Sequence, residues 1–116
     1  MKRQLAEARG REAEDEAARY LEAQGFAVVA RRVKVKAGEI DLVARAPGLV
    51  VFAEVKFRRT EADLDLAIDE RRLARVAAAA ESVAHDYAMN GEDLRIDVIL
   101  LAPGASPRHI VNAWMP

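Results

Sequence analysis

Two runs of strand-forming residues, 39–45 and 49–57, are separated only by Ala46-Pro47-Gly48. A connection that short holds its flanking strands antiparallel and adjacent, so it fixes a hairpin before anything else about the chain is known. The same runs carry Glu39, Asp41, Glu54 and Lys56 among apolar neighbours. Burying an unpaired carboxylate or ammonium is costly, so these four residues ask for a reason.

Side chains alternate faces along a strand. Glu39 and Asp41 then share one face, with Ile40 and Leu42 on the other. Glu54 and Lys56 share a face with Phe52, opposite Val51, Ala53, Val55 and Phe57. If the registers match, Asp41, Glu54 and Lys56 meet at one end of the hairpin, with Glu39 close by. Twelve residues separate Asp41 from Glu54. Two carboxylates held together repel unless something offsets the charge. A hard divalent cation does so with oxygen ligands, and a lysine beside it orients water or stabilises charge developing on phosphorus. That is an arrangement for metal-dependent phosphodiester hydrolysis. The same spacing also serves a solvated strand edge or a cross-strand ion pair, and the residues alone leave both readings open.

The rest of the chain builds around the hairpin. Helical spacing of Ala13, Ala17, Tyr20 and Leu21 predicts a helix over 3–24, stopped by Gly25. A strand is expected over 26–35 and a polar loop over 58–64. Leu73, Val76, Ala77, Ala80, Val83, Ala84 and Tyr87 form an apolar stripe that predicts a long helix over 65–90. Strands are expected over 94–101 and, at the end, over 109–114. The order α-β-β-β-α-β-(β), without repeat or linker, reads as one α/β domain over residues 1–116. Hydrophobic residues at 52% and charged residues at 32% are a globular balance. No cysteine is present, so thiolate metal sites are excluded. A net charge of -1 gives no overall basic field, though a local basic face remains open. No apolar run is long enough to span a bilayer and the first residues lack a signal-peptide core, so the expectation is a cytoplasmic protein with no membrane partner.

Several basic residues stand near the hairpin. Arg58 directly follows it, Arg31 and Arg32 lie in the preceding strand, and Arg71 and Arg72 open the long helix. All are candidates for contacts to nucleic-acid phosphates, and all are also ordinary surface arginines. Arg95 and Asp97 read as an ion pair on the fourth strand, His85 and His109 as surface or cap residues, and Trp114 as an anchor for the tail.

"GEIDLVA" followed by "VVFAEVKFR" resembles the signature of the YraN-like bacterial family of proposed endonucleases. The likeness extends through "AEDEAARYLEAQGFAVVARR", "ERRLARVAAAAE", "LRIDVILL" and "HIVNAW". That family is placed in the PD-(D/E)xK restriction-endonuclease-like superfamily, similar to archaeal Holliday junction resolvases. The resemblance implies an αβββαβ core with a mixed central sheet flanked by helices. It makes Asp41, Glu54 and Lys56 catalytic. Asp41, Glu54 and the Val55 backbone carbonyl become the ligands of Mg²⁺ or Mn²⁺, with Glu14 and Glu39 as accessory candidates. It implies DNA, branched DNA included, as the partner of a metal-dependent endonuclease, with a catalytically weak nucleic-acid-binding or scaffolding module on the same fold as the alternative. A homodimer is the geometric expectation for symmetric cutting of two strands. Two positions depart from the pattern: Ala13 stands where the family often has glycine, and Asp69 or Glu70 where it often has lysine.

Overall fold

The computed structural model describes the backbone of residues 2–114 and the side chains of 10–65 and 67–114. Helix α1 (Lys2–Ala23) is followed by strands β1 (Ala27–Val35), β2 (Gly38–Ala46) and β3 (Leu49–Phe57). A 3-10 turn at Ala62–Leu66 leads to helix α2 (Glu70–Tyr87), then strands β4 (Asp93–Leu101) and β5 (Arg108–Ile110). The five strands lie in chain order in one sheet. All neighbouring pairs are antiparallel except β3 and β4, which run parallel across the α2 crossover. The mixed sheet and the element order match the expected fold class.

Turn chemistry sets the first half. Gly25 ends α1 with φ 98° and Gly48 turns the β2–β3 hairpin with φ 73°, both in the region glycine enters without steric cost. The helices cover opposite faces. Ala13, Ala17, Ala18 and Leu21 of α1 pack on Leu42, Ala44, Val51, Ala53, Ile99 and Leu101. Val76, Ala79, Ala80 and Val83 of α2 pack on Ile40, Val43, Val50 and Phe52. With both faces covered, the central strands read as continuous apolar runs.

Several expectations change. Helix α2 starts at Glu70, not at residue 65, because the side chain of Asp69 caps it by accepting the N–H groups of Arg71 and Arg72. Leu64 and Ala67 are instead buried against Leu73, Val98 and Leu100. The last strand spans only Arg108–Ile110. Asn112, at φ 55°, turns the chain, and the Ala113 N–H donates to the Ile96 carbonyl at 2.7 Å. Ile40 packs with Val43 on the α2 side rather than with Leu42 on the α1 side. Strict alternation breaks where β2 loses its pairing with β3.

His109 is not a surface residue: its side chain is 11% exposed, and Tyr20 Oη lies 3.1 Å from its Nδ1 while Asp97 lies 2.6 Å from its Nε2. Asp97, fully buried, also accepts two N–H groups of Arg95 and the Asn112 N–H. Burial works to raise its carboxyl, but the donors from Arg95, Asn112 and His109 outweigh it and hold the group below its ordinary range. The expected Arg95–Asp97 pair is thus the centre of a network tying the tail to β4 and α1. Trp114 packs at the margin of the Leu64, Leu73, Val98 and Leu100 cluster, as an anchor would. Among the described residues no helix is long and apolar enough to cross a membrane.

Candidate metal and phosphate site

Strands β2 and β3 pair from Ala46↔Leu49 to Leu42↔Ala53 and then part. Asp41 and Glu54 are the first residues past the fork. Asp41 Oδ2 accepts the Val55 N–H at 2.8 Å, so its carboxylate continues the ladder where the β2 backbone no longer does. A strand residue sends its N–H and its carbonyl towards the same neighbour, so the Val55 carbonyl faces the same fork. The site exists because two strands diverge while β3 stays locked to β4 through Phe57↔Leu101.

The electrostatics are those of crowded acids. Asp41 is 7% exposed, and its carboxyl is pushed up to about 7. Burial is the main cause and the charge of Glu54 the next. The Val55 N–H and Arg72 pull the other way, and Glu14 adds to the rise. Glu54 is 2% exposed. Its Oε1 accepts from Arg72 Nε at 2.7 Å, and Lys56 Nζ stands 3.6 Å from the same oxygen. Its Oε2 is buried and has no partner among the described residues. An orphaned carboxylate oxygen costs about 1–3 kcal/mol, more when charged. Lys56, at 3.6 Å, is too far for a direct hydrogen bond to Glu54 and keeps its donors for another group.

This donor set suits a hard cation: a partnerless buried oxygen on Glu54, a carboxyl on Asp41 destabilised by a neighbouring charge, and a strand carbonyl at the fork. Among the described residues no three His, Asp or Glu side chains converge into a full cage. Mg²⁺ does not need one, because it keeps several waters and takes phosphate oxygens as further ligands.

The remaining candidates divide. Glu14, on α1, accepts from Arg32 Nε at 2.7 Å, and its charge is felt by Asp41. Glu39 is half-buried, and its charge acts on both Arg32 and Arg72. Arg31 turns instead to Asp15 on α1. Arg58 closes the end of the parallel pair, its backbone N–H donating to the Leu101 carbonyl at 2.9 Å and its Nη1 to Phe57 O at 2.8 Å. Arg71 is exposed; its backbone N–H donates to Asp69, and its side chain has no partner among the described residues. So Asp41, Glu54, Lys56, Glu14, Glu39, Arg32 and Arg72 form one cluster, and Arg31, Arg58 and Arg71 make no contact with its acids among the described residues.

Two contributions escape a reading of strand patterns. Arg72, one of several arginines in the sequence, is the direct partner of Glu54. Gly38 lies where a Cβ would come 2.6 Å from the Arg75 carbonyl oxygen. Only glycine lets β2 begin this close to α2, and that contact seats the first turns of the helix, with Arg72, over the acids. Its one sequence signal is its place at the head of "GEID". A larger cavity of about 430 Å³, lined by Phe52, Ala77, Leu94 and Trp114 among others, holds none of the cluster residues.

Residues 13–101 match the model of the uncharacterised protein family UPF0102. The chain is 65% identical to a UPF0102 protein of Erythrobacter litoralis and 55% identical to one of Sphingopyxis alaskensis, in each case over the full length of both chains. A UPF0102 protein of Rhizorhabdus wittichii is 46% identical over 97% of this chain and 96% of its own. Among solved structures, the chain is similar to Archaeoglobus fulgidus Hjc, a Holliday junction resolvase from an archaeal hyperthermophile. The TM-score is 0.60 at 21% identity, covering 89% of this chain and 72% of that one. The likeness bears out the restriction-endonuclease-like fold, and the family match bears out the resemblance read from the motifs.

Proposed function

The chain belongs to the uncharacterised protein family UPF0102, and on that premise we propose that it is a divalent-metal-dependent endonuclease acting on DNA, branched DNA included. One observation carries the reading: Asp41, Glu54 and Lys56 meet where β2 and β3 part, and Glu54 keeps a buried oxygen without a partner. The resolvase-like fold supports it.

Asp41, Glu54 and the Val55 carbonyl would hold Mg²⁺ or Mn²⁺, with Glu14 and Glu39 as outer carboxylates. A cation bound there supplies Lewis acidity towards a phosphoryl oxygen and a water. Asp41 holds its oxygen in place through the Val55 N–H. Lys56 carries free donors beside Glu54, positioned to orient the attacking water or to stabilise charge developing on the phosphoryl oxygens. A symmetric cut of two strands needs two such sites, and we propose a homodimer for that purpose.

Labelled linear duplex, single strand and four-way junction, incubated with Mg²⁺ or Mn²⁺, test the reading. Cutting is expected with the wild-type protein, and Lys56→Ala is expected to slow it by about 10²–10⁴-fold. Glu54→Ala should abolish metal-dependent cutting. No cutting of any of the three substrates with either metal sinks the nuclease reading.

A net charge of -1, and Asp69 or Glu70 where the family often has lysine, favour a second reading, a nucleic-acid-binding or scaffolding module with weak or no catalysis. It predicts DNA affinity that Asp41→Ala leaves unchanged or improves, with no turnover in either protein.

A further inference from the structure

We infer that Arg32 and Arg72 form a two-sided clamp for nucleic-acid phosphates, straddling the acidic centre and each aimed by a carboxylate at its Nε rather than neutralised by it. The ligand class, a phosphodiester backbone, rests on the reading above; the choice of residues rests on geometry.

The two arginines are engaged in the same way. Arg32 meets Glu14 through Nε at 2.7 Å, and Arg72 meets Glu54 through Nε at 2.7 Å. Each pair uses one edge of the guanidinium. The Nη groups of both have no partner among the described residues, and both side chains are 41% exposed. The acids behind them are mostly buried, with side-chain exposures of 14% for Glu14 and 2% for Glu54. A guanidinium held at its Nε by a fixed carboxylate presents its Nη fork outward in a set orientation. That fork matches two phosphate oxygens, and pre-orienting it reduces the ordering cost of a contact.

The pair also brackets the centre. Arg32 comes from β1 and Arg72 from α2, and the charges of Asp41 and Glu39 act on both. Arg32 has φ 51° in the middle of a strand, a conformation that side-chain-bearing residues rarely adopt. Its neighbours pair as Arg31↔Leu42 and Val33↔Ile40, and the register skips Arg32 opposite Asp41. A backbone outlier held at that point is accounted for if the side chain has to face the acids. Two cations set beside clustered acids also let a polyanion approach a centre that would otherwise repel it. Arg31 and Arg71 lack this arrangement: one is drawn to Asp15 and the other has no side-chain anchor among the described residues.

Binding of labelled duplex and four-way DNA, measured by anisotropy in EDTA over a range of salt, reads the clamp without cleavage. Each phosphate contact contributes about 0.9 to the slope of log K against log salt. Arg32→Gln is expected to weaken binding and lower the slope by about 0.9, and Arg31→Gln and Arg71→Gln to leave the slope unchanged. Arg72→Gln strands the Glu54 carboxylate, so Arg72→Lys is the companion variant. Its single ammonium can stay on Glu54 while the fork is lost, so it should melt near wild type and still lose about 0.9 of slope. Unchanged slopes in Arg32→Gln and Arg72→Lys, equal losses in Arg31→Gln and Arg71→Gln, or wild-type protein with no DNA affinity would each overturn the clamp. Slope losses at Arg32 and Arg72 in a protein that cuts nothing would leave the clamp standing and remove only the nuclease.

Discussion

Asp41 and Glu54 show how two buried carboxylates, one step past the last β2–β3 pair, divide their roles. Glu54 has a guanidinium; Asp41 has one backbone N–H and a repelling neighbour. In the unfolded chain the Asp41 carboxyl returns to about 3.8, and in the fold it is raised to about 7. The folded state therefore binds this proton more tightly than the unfolded state does. Stability falls as pH rises between those values, and the penalty is complete above the folded one, at roughly 4 kcal/mol. Asp41→Asn keeps an acceptor for the Val55 N–H and removes the charge. With metal absent, it is expected to melt above wild type at about pH 8 and to converge with it below about pH 4. Melting curves at the two pH values check this, and a lower melting point for Asp41→Asn at the alkaline value counts against the account. The meeting of Asp41 with Glu54 and Lys56 was legible in the sequence because the short hairpin sets position 41 opposite position 54 and Lys56 follows two residues on. The pairing of Glu54 with Arg72, 18 positions away, was not, since several arginines in the chain had an equal claim.

At the scale of elements, the site is a contact between the start of β2 and the start of α2. Gly38 makes that contact, and Asp69 decides where the helix begins. Gly38→Ala would press a Cβ into the Arg75 carbonyl, which is backbone and cannot rotate away. A loss of about 1–3 kcal/mol is expected, as in other overpacked sites, read as a lower urea midpoint. An unchanged midpoint would mean that α2 is seated by its apolar stripe alone. Leu73, Val76, Ala80 and Val83 of that stripe were legible in the sequence; the burial of Ala79 in place of Ala77 and Ala84, and the helix limits, were not. The expected helix over 65–90 began too early because a 3-10 turn at Ala62–Leu66 precedes α2 and buries Leu64 and Ala67, which a helical pattern cannot distinguish from another helical turn; at the other end α2 stops at Tyr87.

Over the whole molecule, one sheet carries both helices, and the Asp97 network ties the tail to β4 and α1. We propose that residues 1–116 are a single domain, so calorimetry should show one cooperative transition; two resolved transitions would refute it. A cation bound only by the folded state adds stability by mass action, about 2.7 kcal/mol at a hundredfold excess over its Kd. Mn²⁺ should therefore raise the melting temperature of wild type and not of Asp41→Ala. Equal shifts in both proteins would place the bound metal elsewhere.

The sequence by itself determined the hairpin, the helix faces and the identity of the acids and the lysine. Those are local matters: turn residues set the connection, and side-chain periods of two and 3.6 set the faces. Tertiary structure alone decided where β2 and β3 part, which oxygen of Glu54 is left without a partner, and which two of the candidate arginines stand over the acids. Each of these depends on the distance between segments far apart in the chain, and no local period encodes that distance. His109 makes the same point in reverse. It looked like a surface residue because its partners, Tyr20 and Asp97, become its neighbours only when α1, β4 and β5 meet.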